Sequence, residues 1–589
     1  MPGRGGSRGD DTGAHGLQFS EASRFSVEPI ESSASGKLEQ TKRSKFMHRH
    51  WLHYAIALAM VFSLATAVTA CGEEDEENDH TPTELTDEEF QMAEEIYFDL
   101  CAGCHGSLRG GATGPELTPE RSMEMGTEAL ASITGSGTPG GMPGYNDVLS
   151  DDELDILARF LQKEPPSPPF NSMQDIADSA WATPPEELVD EPTHDHDIDD
   201  LLVVTLRDTG QNAVVDQSTQ EIAAVVDTGY ATHVTKFSTD GRFAVIMGRD
   251  GLVSKLDLYS LEIVGEATIA MDARDVAVST YPGYEDEYII GGAYWPPQAV
   301  ILDFDTMMPE RIINLQGVST DGEYEPEARA AAMYATEYSP TFLVNAKETG
   351  IIWFIDYTDL DNLRVEKVRT EMFLHDGFFD QTGRYFMIAA NERNKMQVVD
   401  TKERSFVAEI ETGLVPHPGP GAVWETDEFG YVAGTTHLGE GKVTVWGTDH
   451  DHEEHLWEVV GEIEYATSGG LFLRTHENSN YVWFDSPMST EQEEQGRIYL
   501  SEKEPPFEVQ KEIQVTEEPG ALVTHFEPNR DGTEMWVSVW DTTGIDSTNN
   551  ALVVYDSQTA EEIGRMTNDE WPSLITPTGK FQSYLRAGK

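Results

Sequence analysis

The period of the hydrophobic pattern changes near residue 165. Before it, apolar residues recur at helical spacing in two stretches, each opened by a Ser/Thr-x-x-Glu pair that is typical of a helix N-terminus. The two apolar faces comprise Phe90, Ala93, Tyr97 and Leu100, and Leu154, Leu157, Phe160 and Leu161. The capping pairs are Thr86 with Glu89 and Ser150 with Glu153. After it, short runs rich in Val, Ile, Tyr, Phe and Trp alternate with turn clusters, so we expect an all-α domain followed by an all-β domain.

The strand-like runs come in eight pairs, each a strand, a Gly/Asn/Asp turn and a second strand. The pairs are Leu202 to Val214, Phe243 to Leu258, Tyr288 to Phe304, Phe342 to Tyr357, Tyr385 to Val399, Tyr431 to Trp446, Tyr481 to Leu500 and Met535 to Tyr555. They recur at intervals of roughly 40 to 55 residues, the period of four-stranded propeller blades. This repeat predicts an eight-bladed β-propeller, whose mouth is wide enough for a large flat cofactor.

A cysteine pair followed by histidine, Cys101-Ala102-Gly103-Cys104-His105, stands at the end of the first helical stretch. C-x-x-C-H is the attachment signature of a c-type haem, with a thioether from each cysteine and the histidine as iron ligand. A redox-active pair or half of a zinc site are the alternatives, but a zinc site needs about four ligands and the chain has no second cysteine pair. The motif therefore predicts haem c and electron transfer.

The second iron ligand is expected between the two helical stretches. Met142 stands on the Gly/Pro-rich loop Gly140 to Tyr145, from which a thioether can reach the open face of the haem. Met123 and Met125 are rival candidates. A helix before the motif and a closing helix after this loop are the plan of a small class I cytochrome c.

The Pro-rich segment Glu164 to Pro169 marks a stiff linker between the domains. The predicted organisation is a disordered N-terminus with a signal peptide (1–70), an acidic tether (71–85), a cytochrome c domain (86–163), a linker (164–195) and the propeller (196–589).

The apolar run from Trp51 to Ala70 follows a basic flank and ends in small residues, which is typical of a secretory signal. A translation start at Met47 would give a signal of ordinary proportions. The sequence Val68-Thr69-Ala70-Cys71 is a loose match to a bacterial lipobox, which favours lipidation of Cys71. A plain signal cut nearby and an uncleaved membrane anchor are the alternatives. All three place the domains outside the cytoplasm, in the periplasm.

Acidic residues number 106 against 39 basic ones, which gives a formal net charge of −67. Such a chain repels nucleic acid and anionic lipid, so a protein that docks to it is expected to present a basic patch.

With these motifs in place, the sequence resembles the cytochrome cd1 nitrite reductases from about Glu95 to Lys580. The strings that carry the resemblance include Cys-Ala-Gly-Cys-His-Gly at 101–106, Thr-Leu-Arg-Asp-Thr-Gly-Gln at 205–211, Asp-Thr-Gly-Tyr-Ala-Thr-His at 227–233, Gly-Ala-Tyr-Trp-Pro-Pro-Gln at 292–298, Lys-Glu-Thr-Gly at 347–350, Phe-Leu-His-Asp-Gly at 373–377, Pro-His-Pro-Gly at 416–419 and Thr-Pro-Thr-Gly-Lys-Phe at 576–581. The resemblance implies haem d1 in the propeller and reduction of nitrite to nitric oxide there, by one electron and two protons.

The resemblance also implies roles for single residues. His233 matches the proximal ligand of the d1 iron, and His375 and His417 match the distal pair that holds nitrite and delivers protons. Arginines in this family neutralise the d1 carboxylates, and Lys236 stands where the family often has arginine. The cofactor-binding candidates on this basis are Arg207, Lys236, Arg249, Arg274, Tyr294, Thr578 and Gly579.

Two positions depart from the family pattern. Pro420 replaces an arginine that binds a d1 carboxylate, and His525 replaces a glutamine at the pocket. A third histidine, His437, is expected to line the mouth without donating protons.

The expected function is that of a dissimilatory nitrite reductase. Its expected electron donor is a small soluble c-type cytochrome or cupredoxin. The resemblance also implies a homodimer. A d1-maturation dehydrogenase that acts on dihydro-haem d1 is the first alternative, since it has the same architecture. A non-catalytic d1 carrier or electron-transfer protein is the second.

Overall fold

The computed structural model describes residues 84–111, 114–138, 142, 144–146, 149–165, 170–206, 209–232, 234–541, 549–567 and 575–578. The predictions on the signal peptide, Cys71, Arg207, His233 and Gly579 fall outside these residues. Within the described part of the chain, no helix is long and apolar enough to cross a membrane.

The N-terminal domain is helical, as the apolar spacing predicts. Its helices are α1 (Asp87–Ile96), continued by a π-helical turn (Tyr97–Cys101), then α2 (Ala102–His105), α3 (Pro119–Met125), α4 (Thr127–Ser136) and α5 (Asp151–Leu161). Both predicted capping boxes are confirmed, with Thr86 and Glu89 opening α1 and Ser150 and Glu153 opening α5. Each box satisfies two helix-end amides that would otherwise lack acceptors.

The core of this domain forms where α1 and the π-helical turn meet α5. Tyr97, Leu157 and Phe160 are at most 1% exposed, and the ring of Phe90 meets that of Phe160 edge to face at 5.1 Å. Arg109 is also buried, with its guanidinium 4.2 Å from the Phe160 ring and Nη1 donating to the carbonyl of Lys163 at 2.9 Å. The same nitrogen faces the carbonyls of Phe160 and Leu161 at the end of α5. Arg109 thereby connects the loop after the cysteine motif to the C-terminal end of this helix.

The segment predicted as a linker carries elements that belong to the propeller. Helix α6 (Met173–Ser179) buries Ile176 completely in the propeller core, and strand β1 (Trp181–Ala182) pairs with the outer edge of a blade. The Pro-rich part lies before them, and the predicted domain boundaries themselves stay predictions.

Eight sheets of four or more strands form a ring in the described part of the chain, so the predicted eight-bladed propeller is confirmed. Blade 1 holds β35 (Ile575–Thr578), β2 (Leu201–Leu206), β3 (Gln211–Asp216) and β4 (Glu221–Asp227). Blade 2 holds β5 (Val234–Phe237), β6 (Phe243–Met247), β7 (Leu252–Asp257) and β8 (Glu262–Thr268), with β1 at its edge. Blade 3 holds β9 (Asp272–Val278), β10 (Tyr288–Trp295), β11 (Gln298–Asp303) and β12 (Pro309–Asn314).

The next three blades follow the same order. Blade 4 holds β15 (Ala330–Ala335), β16 (Thr341–Ala346), β17 (Ile351–Asp356) and β18 (Arg364–Arg369), preceded by the hairpin β13 (Gly317–Val318) and β14 (Tyr324–Glu325). Blade 5 holds β19 (Leu374–Phe379), β20 (Tyr385–Ala390), β21 (Lys395–Asp400) and β22 (Ser405–Glu411). Blade 6 holds β23 (Pro416–Thr426), β24 (Gly430–His437), β25 (Lys442–Gly447) and β26 (Val459–Glu464).

The last two blades complete the ring. Blade 7 holds β27 (Leu473–Arg474), β28 (Tyr481–Asp485), β29 (Arg497–Glu502) and β30 (Val509–Gln514), with the short helix α7 (Gln492–Gln495) between its second and third strands. Blade 8 holds β31 (Ala521–Pro528), β32 (Glu534–Asp541), β33 (Ala551–Asp556) and β34 (Glu562–Thr567). One-turn 3₁₀ helices occur at Pro185–Glu187, Ile198–Asp200, Leu360–Asn362 and Asn391–Arg393.

The ring is closed by its two chain ends. β35, from the C-terminal end, pairs antiparallel with β2, with Thr578 opposite Val203. This pairing places strands from both ends of the domain in one blade, and ring closure leaves only short, protected sheet edges.

The aspartates that end several strands have a common local role. Asp303, Asp356, Asp400 and Asp556 each accept a hydrogen bond at Oδ1 from the amide two or three residues further on. A short acidic side chain thereby fixes the tight turn that leads to the outermost strand.

Candidate functional site

His105 is buried at the end of α2, directly after the cysteine pair. Its Nδ1 lies 2.7 Å from the carbonyl oxygen of Pro115, so Nδ1 carries the proton and Nε2 has its lone pair available. Burial lowers the pKa of His105, although the hydrogen bond to Pro115 opposes this shift. The structure thus presents a neutral, oriented imidazole, the form that ligates iron.

Met142 is half-buried, and its carbonyl accepts the amide of Thr138 at 2.9 Å. The loop approaches α4 closely, since a Cβ added to Gly144 would lie 2.8 Å from the carbonyl oxygen of Gly135. The rival methionines are exposed on or at the end of α3, Met123 at 46% and Met125 at 37%. Burial therefore favours Met142 among the predicted candidates.

Four of the predicted site residues that the structure describes lie toward one end of the ring. The innermost strands β5, β9, β15, β19, β23, β27, β31 and β35 contact one another in sequence around the axis. Lys236, Arg274, His375 and His417 lie within the first three residues of their innermost strands. Because successive blades run in the same direction, these positions share one face of the ring.

His375 and His417 come from neighbouring blades and meet at this face. Their ring centroids are 5.0 Å apart, with the planes inclined by 48°. Asp376 lies between them: its Oδ1 is 2.9 Å from Nδ1 of His375 and its Oδ2 is 3.4 Å from Nε2 of His417. The three side chains each offer a ligand or proton-transfer atom within 4.8 Å of the others.

Burial sets the protonation of this cluster. It lowers the pKa of His375 to about 4, against the opposing charge of Asp376. Burial alone would raise the pKa of Asp376, but the two histidines lower it below its usual range. Asp376 is therefore ionised at neutral pH, and His375 is neutral there.

The orientation of His417 is fixed from blade 7. Its Nδ1 lies 2.9 Å from the carbonyl oxygen of Leu471, so Nδ1 donates and Nε2 is the nitrogen turned toward Asp376. The loop that carries this carbonyl is held by Asp485, which accepts the amides of Leu471 and Phe472 at 2.9 Å each. Burial raises the pKa of Asp485 to about 7.

Phe472 connects His417 with the departure from the family pattern at 525. Its ring meets the His417 ring edge to face at 6.2 Å and lies 4.0 Å from the His525 ring. His525 adopts a left-handed backbone conformation with φ of 61° at a bulge of β31. The backbone of Pro420 lies within the irregular part of β23, between His417 and Ala422.

His437 stands apart from the pair of His375 and His417. It is fully buried, its Nε2 accepts the amide of Gly413 at 2.9 Å, and its Nδ1 lies 2.8 Å from the carbonyl oxygen of Lys442. Both ring nitrogens are thus used to hold loops together. The prediction that His437 lines the mouth without donating protons stays a prediction.

Cations concentrate in blades 2 to 4. Arg274 lies 5.7 Å from the centre of the buried Tyr294 ring, and Arg249 donates to the buried Asp272 at 3.3 Å. Lys236 lies over the ring of Tyr334 at 5.3 Å. All three are sequence-predicted, and the pKa of Tyr294 is raised by burial against the charge of the arginines.

Two further cations of this cluster were missed by the sequence analysis. Arg329 is the second arginine near Tyr294, with its guanidinium carbon 5.4 Å from the ring centre. Its Nε donates a hydrogen bond to Glu348 at 2.8 Å. Lys347 is 4% exposed, and burial together with Arg329 lowers its pKa to about 8. The amides of Phe373 and Leu374 both bond to the Lys347 carbonyl, which places this residue beside the His375 strand.

A signal for Arg329 is present in the sequence. It stands in the apolar run Ala328-Arg329-Ala330-Ala331-Ala332, where a lone cation in a very acidic chain is out of place. Asp376 stands in the family string at 373–377, but its carboxylate is no more distinctive than that of Asp485, because acidic residues occur throughout the chain.

These residues fit the two implied cofactors. An oriented neutral His105 beside buried Cys101 suits haem c. For a macrocycle with several carboxylates, the chain concentrates Lys236, Arg249, Arg274, Arg329 and Lys347 in a protein whose formal net charge is −67. Buried carboxylates require such fixed cations, and His375 lies close enough to Lys347 to feel its charge.

Comparisons with known proteins agree with this geometry. The Cytochrome D1 heme domain family model matches residues 196–586, and the model of the cbb3-type cytochrome c oxidase subunit III matches residues 88–161. The nitrite reductase of Stutzerimonas stutzeri is 39% identical over 531 residues, covering 85% of this chain and 94% of that protein. The dihydro-heme d1 dehydrogenase of Pseudomonas aeruginosa is 29% identical over 493 residues, covering 83% of this chain and 92% of that protein.

Among solved structures, a dihydro-heme d1 dehydrogenase superposes with a TM-score of 0.65 at 27% identity, covering 84% of this chain and all of that one. The family model of the propeller alone spans well over half of the sequence. The chain therefore belongs to the cytochrome cd1 nitrite reductase family, with haem c as the cofactor of its helical domain and haem d1 as that of its propeller.

Proposed function

We propose that the protein reduces nitrite to nitric oxide in the propeller, with electrons that enter through haem c. The observation that carries this proposal is the pair of His375 and His417, whose rings lie 5.0 Å apart around one shared carboxylate. The higher identity to a nitrite reductase, 39% against 29% for the dehydrogenase, supports the same choice.

Nitrite reduction needs protons at one place. One electron and two protons convert nitrite into nitric oxide and water, and both protons go to the oxygen that leaves. When bound, haem d1 supplies the iron that holds nitrite and the electron. Two adjacent imidazoles match the remaining requirement, since imidazole side chains accept and donate protons in general acid–base catalysis.

The two histidines have different parts in this proposal. His417 releases a proton from Nε2, because its Nδ1 is engaged with the Leu471 carbonyl at 2.9 Å. Oδ2 of the ionised Asp376 faces Nε2 of His417 at 3.4 Å. His375 is neutral between turnovers, because burial lowers its pKa to about 4, so it delivers a proton only after it has taken one up.

The cation cluster has a second part, beyond holding carboxylates. Lys347 is buried beside the His375 strand and raises the local positive potential. Nitrite is an anion, and a protein with a formal net charge of −67 repels it at long range. Fixed cations behind the histidines offset this repulsion where nitrite binds.

Anaerobic turnover of the purified protein with a reduced donor and nitrite tests the proposal. Nitric oxide is the expected product, detected by an electrode. The structural similarity to a dihydro-heme d1 dehydrogenase makes maturation of haem d1 the second candidate function. Oxidation of dihydro-haem d1 without nitric oxide formation would establish that function. If the protein showed neither activity, the remaining candidate would be a non-catalytic d1 carrier.

We also propose the cellular setting. The secretory pattern before Cys71 and the c-type haem motif support the periplasm, with lipidation of Cys71 as its tether. The acidic surface supports a small donor with a basic patch, a c-type cytochrome or a cupredoxin. A homodimer rests on the family resemblance.

A further inference from the structure

A carboxylate of the propeller grips the loop that follows the haem c motif. Oε1 of Glu327 accepts the amide of Leu108 at 2.7 Å, and the amide of Ser107 also donates to this carboxylate. Oε2 is so near that a Cβ added to Gly106 would lie 3.0 Å from it. Glu327 therefore contacts all three residues that come directly after the haem-ligating histidine.

The loop needs this acceptor. Gly106 has a φ of +80°, which ends α2 and directs the next amides away from the helix. The carbonyl of Gly106 is used within the domain, by the hydroxyl of Tyr97 at 2.6 Å. Glu327 of the other domain accepts both the Ser107 and the Leu108 amides. Ser107 is buried, and a buried amide without an acceptor is costly.

The carboxylate remains in the contact although burial opposes it. Burial raises the pKa of Glu327, while the Leu108 amide and the charge of Arg329 lower it. This carboxylate contacts the neighbouring domain through the two backbone amides and the close approach to Gly106. Glu327 therefore acts there as a hydrogen-bond acceptor.

A second contact lies beside the first. Met271 of the propeller packs against the hydrophobic core of the cytochrome domain. Met271 directly precedes Asp272, the buried partner of Arg249. Glu327 likewise stands two positions before Arg329, the buried partner of Glu348. The strands that follow these contacts, β9 and β15, touch each other. Docking and the cation cluster are therefore built on the same pair of strands.

We propose that Glu327 is the positioning residue that holds the haem c loop Gly106–Leu108 on blades 3 and 4 and thereby sets the rate of electron transfer into the propeller. The inference rests on the electron path of the proposed function. The step moves one electron from haem c to haem d1, and no bond is made or broken. Electron tunnelling weakens steeply with distance, so a small displacement of this loop has a large effect on the rate.

The full-length protein with both haems is compared with three variants. Glu327→Ala removes the acceptor, and Glu327→Gln keeps one carbonyl oxygen for the Leu108 amide. The matched control is Glu323→Gln, an exposed residue of the same segment. All variants are compared at equal haem c and haem d1 content, measured from their optical spectra.

The first readout is hydrogen exchange of the Ser107 and Leu108 amides by mass spectrometry. We expect Glu327→Ala to exchange about tenfold or more faster, Glu327→Gln to be intermediate, and the control to match the wild type. This readout does not depend on any activity. Wild-type protection in Glu327→Ala would overturn the docking role.

The second readout is the electron-transfer rate after rapid reduction of haem c, without nitrite present. We expect about a tenfold loss in Glu327→Ala and partial rescue in Glu327→Gln, since the amide retains an acceptor. An unchanged rate in Glu327→Ala would overturn the electron-transfer role. Because nitrite is absent, this result is separate from a failure of the protein to form nitric oxide.

Discussion

The cytochrome domain and the propeller assemble their reactive groups in opposite ways. In the cytochrome domain, Cys101 to His105 are consecutive, and the acceptor that orients His105 is Pro115 in the same loop. In the propeller, His375 and His417 come from blades 5 and 6, and the acceptor that orients His417 is Leu471 before blade 7. Chain connectivity fixes the first arrangement, whereas closure of the ring fixes the second.

This difference indicates which kinds of substitution should disrupt each site. A local motif survives changes elsewhere, because its spacing is covalent. A site shared among blades depends on the register of several sheets, and its carboxylate Asp376 must lie between two rings that are 42 positions apart (417 − 375) in the sequence. The two sites should therefore fail independently, and differently.

The largest effect is expected from Cys101→Ser combined with Cys104→Ser. Covalent haem c should disappear completely, because no thioether can form. Haem staining after denaturing electrophoresis measures this loss, and the red absorbance of haem d1 should stay at the wild-type level. Cys71→Ser is the matched control and should keep both haems. Loss of haem d1 in the double variant would show that the two sites are not independent.

The next largest effect is expected at the pair of histidines formed by one residue from blade 5 and one from blade 6. His375→Ala and His417→Ala should each lower nitrite turnover by about 10²–10⁴-fold, the usual contribution of a proton donor. Haem c and haem d1 content should be unchanged, as measured from the spectra. His450→Ala, on an exposed loop, serves as the control. Wild-type turnover in either variant would rule out its proton-donor role.

The buried pair of Arg329 and Glu348 tests the stability of the cation cluster. Arg329→Met leaves a buried carboxylate unpaired and should lower the free energy of unfolding by about 3–5 kcal/mol. Arg121→Met breaks the exposed pair with Glu116 in the cytochrome domain and should cost less than about 1 kcal/mol. Denaturant titration compares the two. Equal costs would mean that the cluster is not a buried network.

The smallest effect is a pH dependence from His437. Burial lowers its pKa to about 4 in the folded protein, from 6.5. Because the unfolded chain binds the proton more readily, the stability contributed by neutral His437 is fully present above pH 6.5 and is lost as the pH falls toward 4. Between pH 7 and pH 5 the loss should be about 2 kcal/mol.

His437→Gln should remove this part of the pH dependence, whatever its effect on stability at neutral pH. Denaturant titrations at pH 7 and pH 5 measure the difference, with His450→Gln as the control. An unchanged pH dependence in His437→Gln would assign the acid sensitivity to other groups.

The hydrophobic pattern was sufficient for the elements whose surroundings are uniform. The eight strand pairs found in the sequence are the second and third strands of the eight blades, for example β16 and β17. These strands are covered on both faces and flanked on both edges, so almost every residue of β16 is apolar or buried. The outermost strands, such as β22, are largely exposed and carry a weaker pattern.

The candidate site divides along the same line. A motif with fixed spacing predicts the role of His105, and the family strings predict the roles of His375 and His417. No sequence pattern assigns a contact to Asp376, Lys347 or Asp485. The folded ring brings them against His375 and His417 or against the loops that hold those histidines. The role of His437 likewise depended on its two bonds, to Gly413 and Lys442.

The sequence by itself therefore determined the order of the domains, the number of blades, the capped helices and the haem c motif, because each is encoded by local spacing or by repetition. The tertiary structure decided which histidine nitrogens face backbone carbonyls, which cations lie near the Tyr294 ring, and which carboxylate bridges the domains. Those properties depend on burial and on partners from distant strands, and neither is a property of a residue together with its neighbours in the chain.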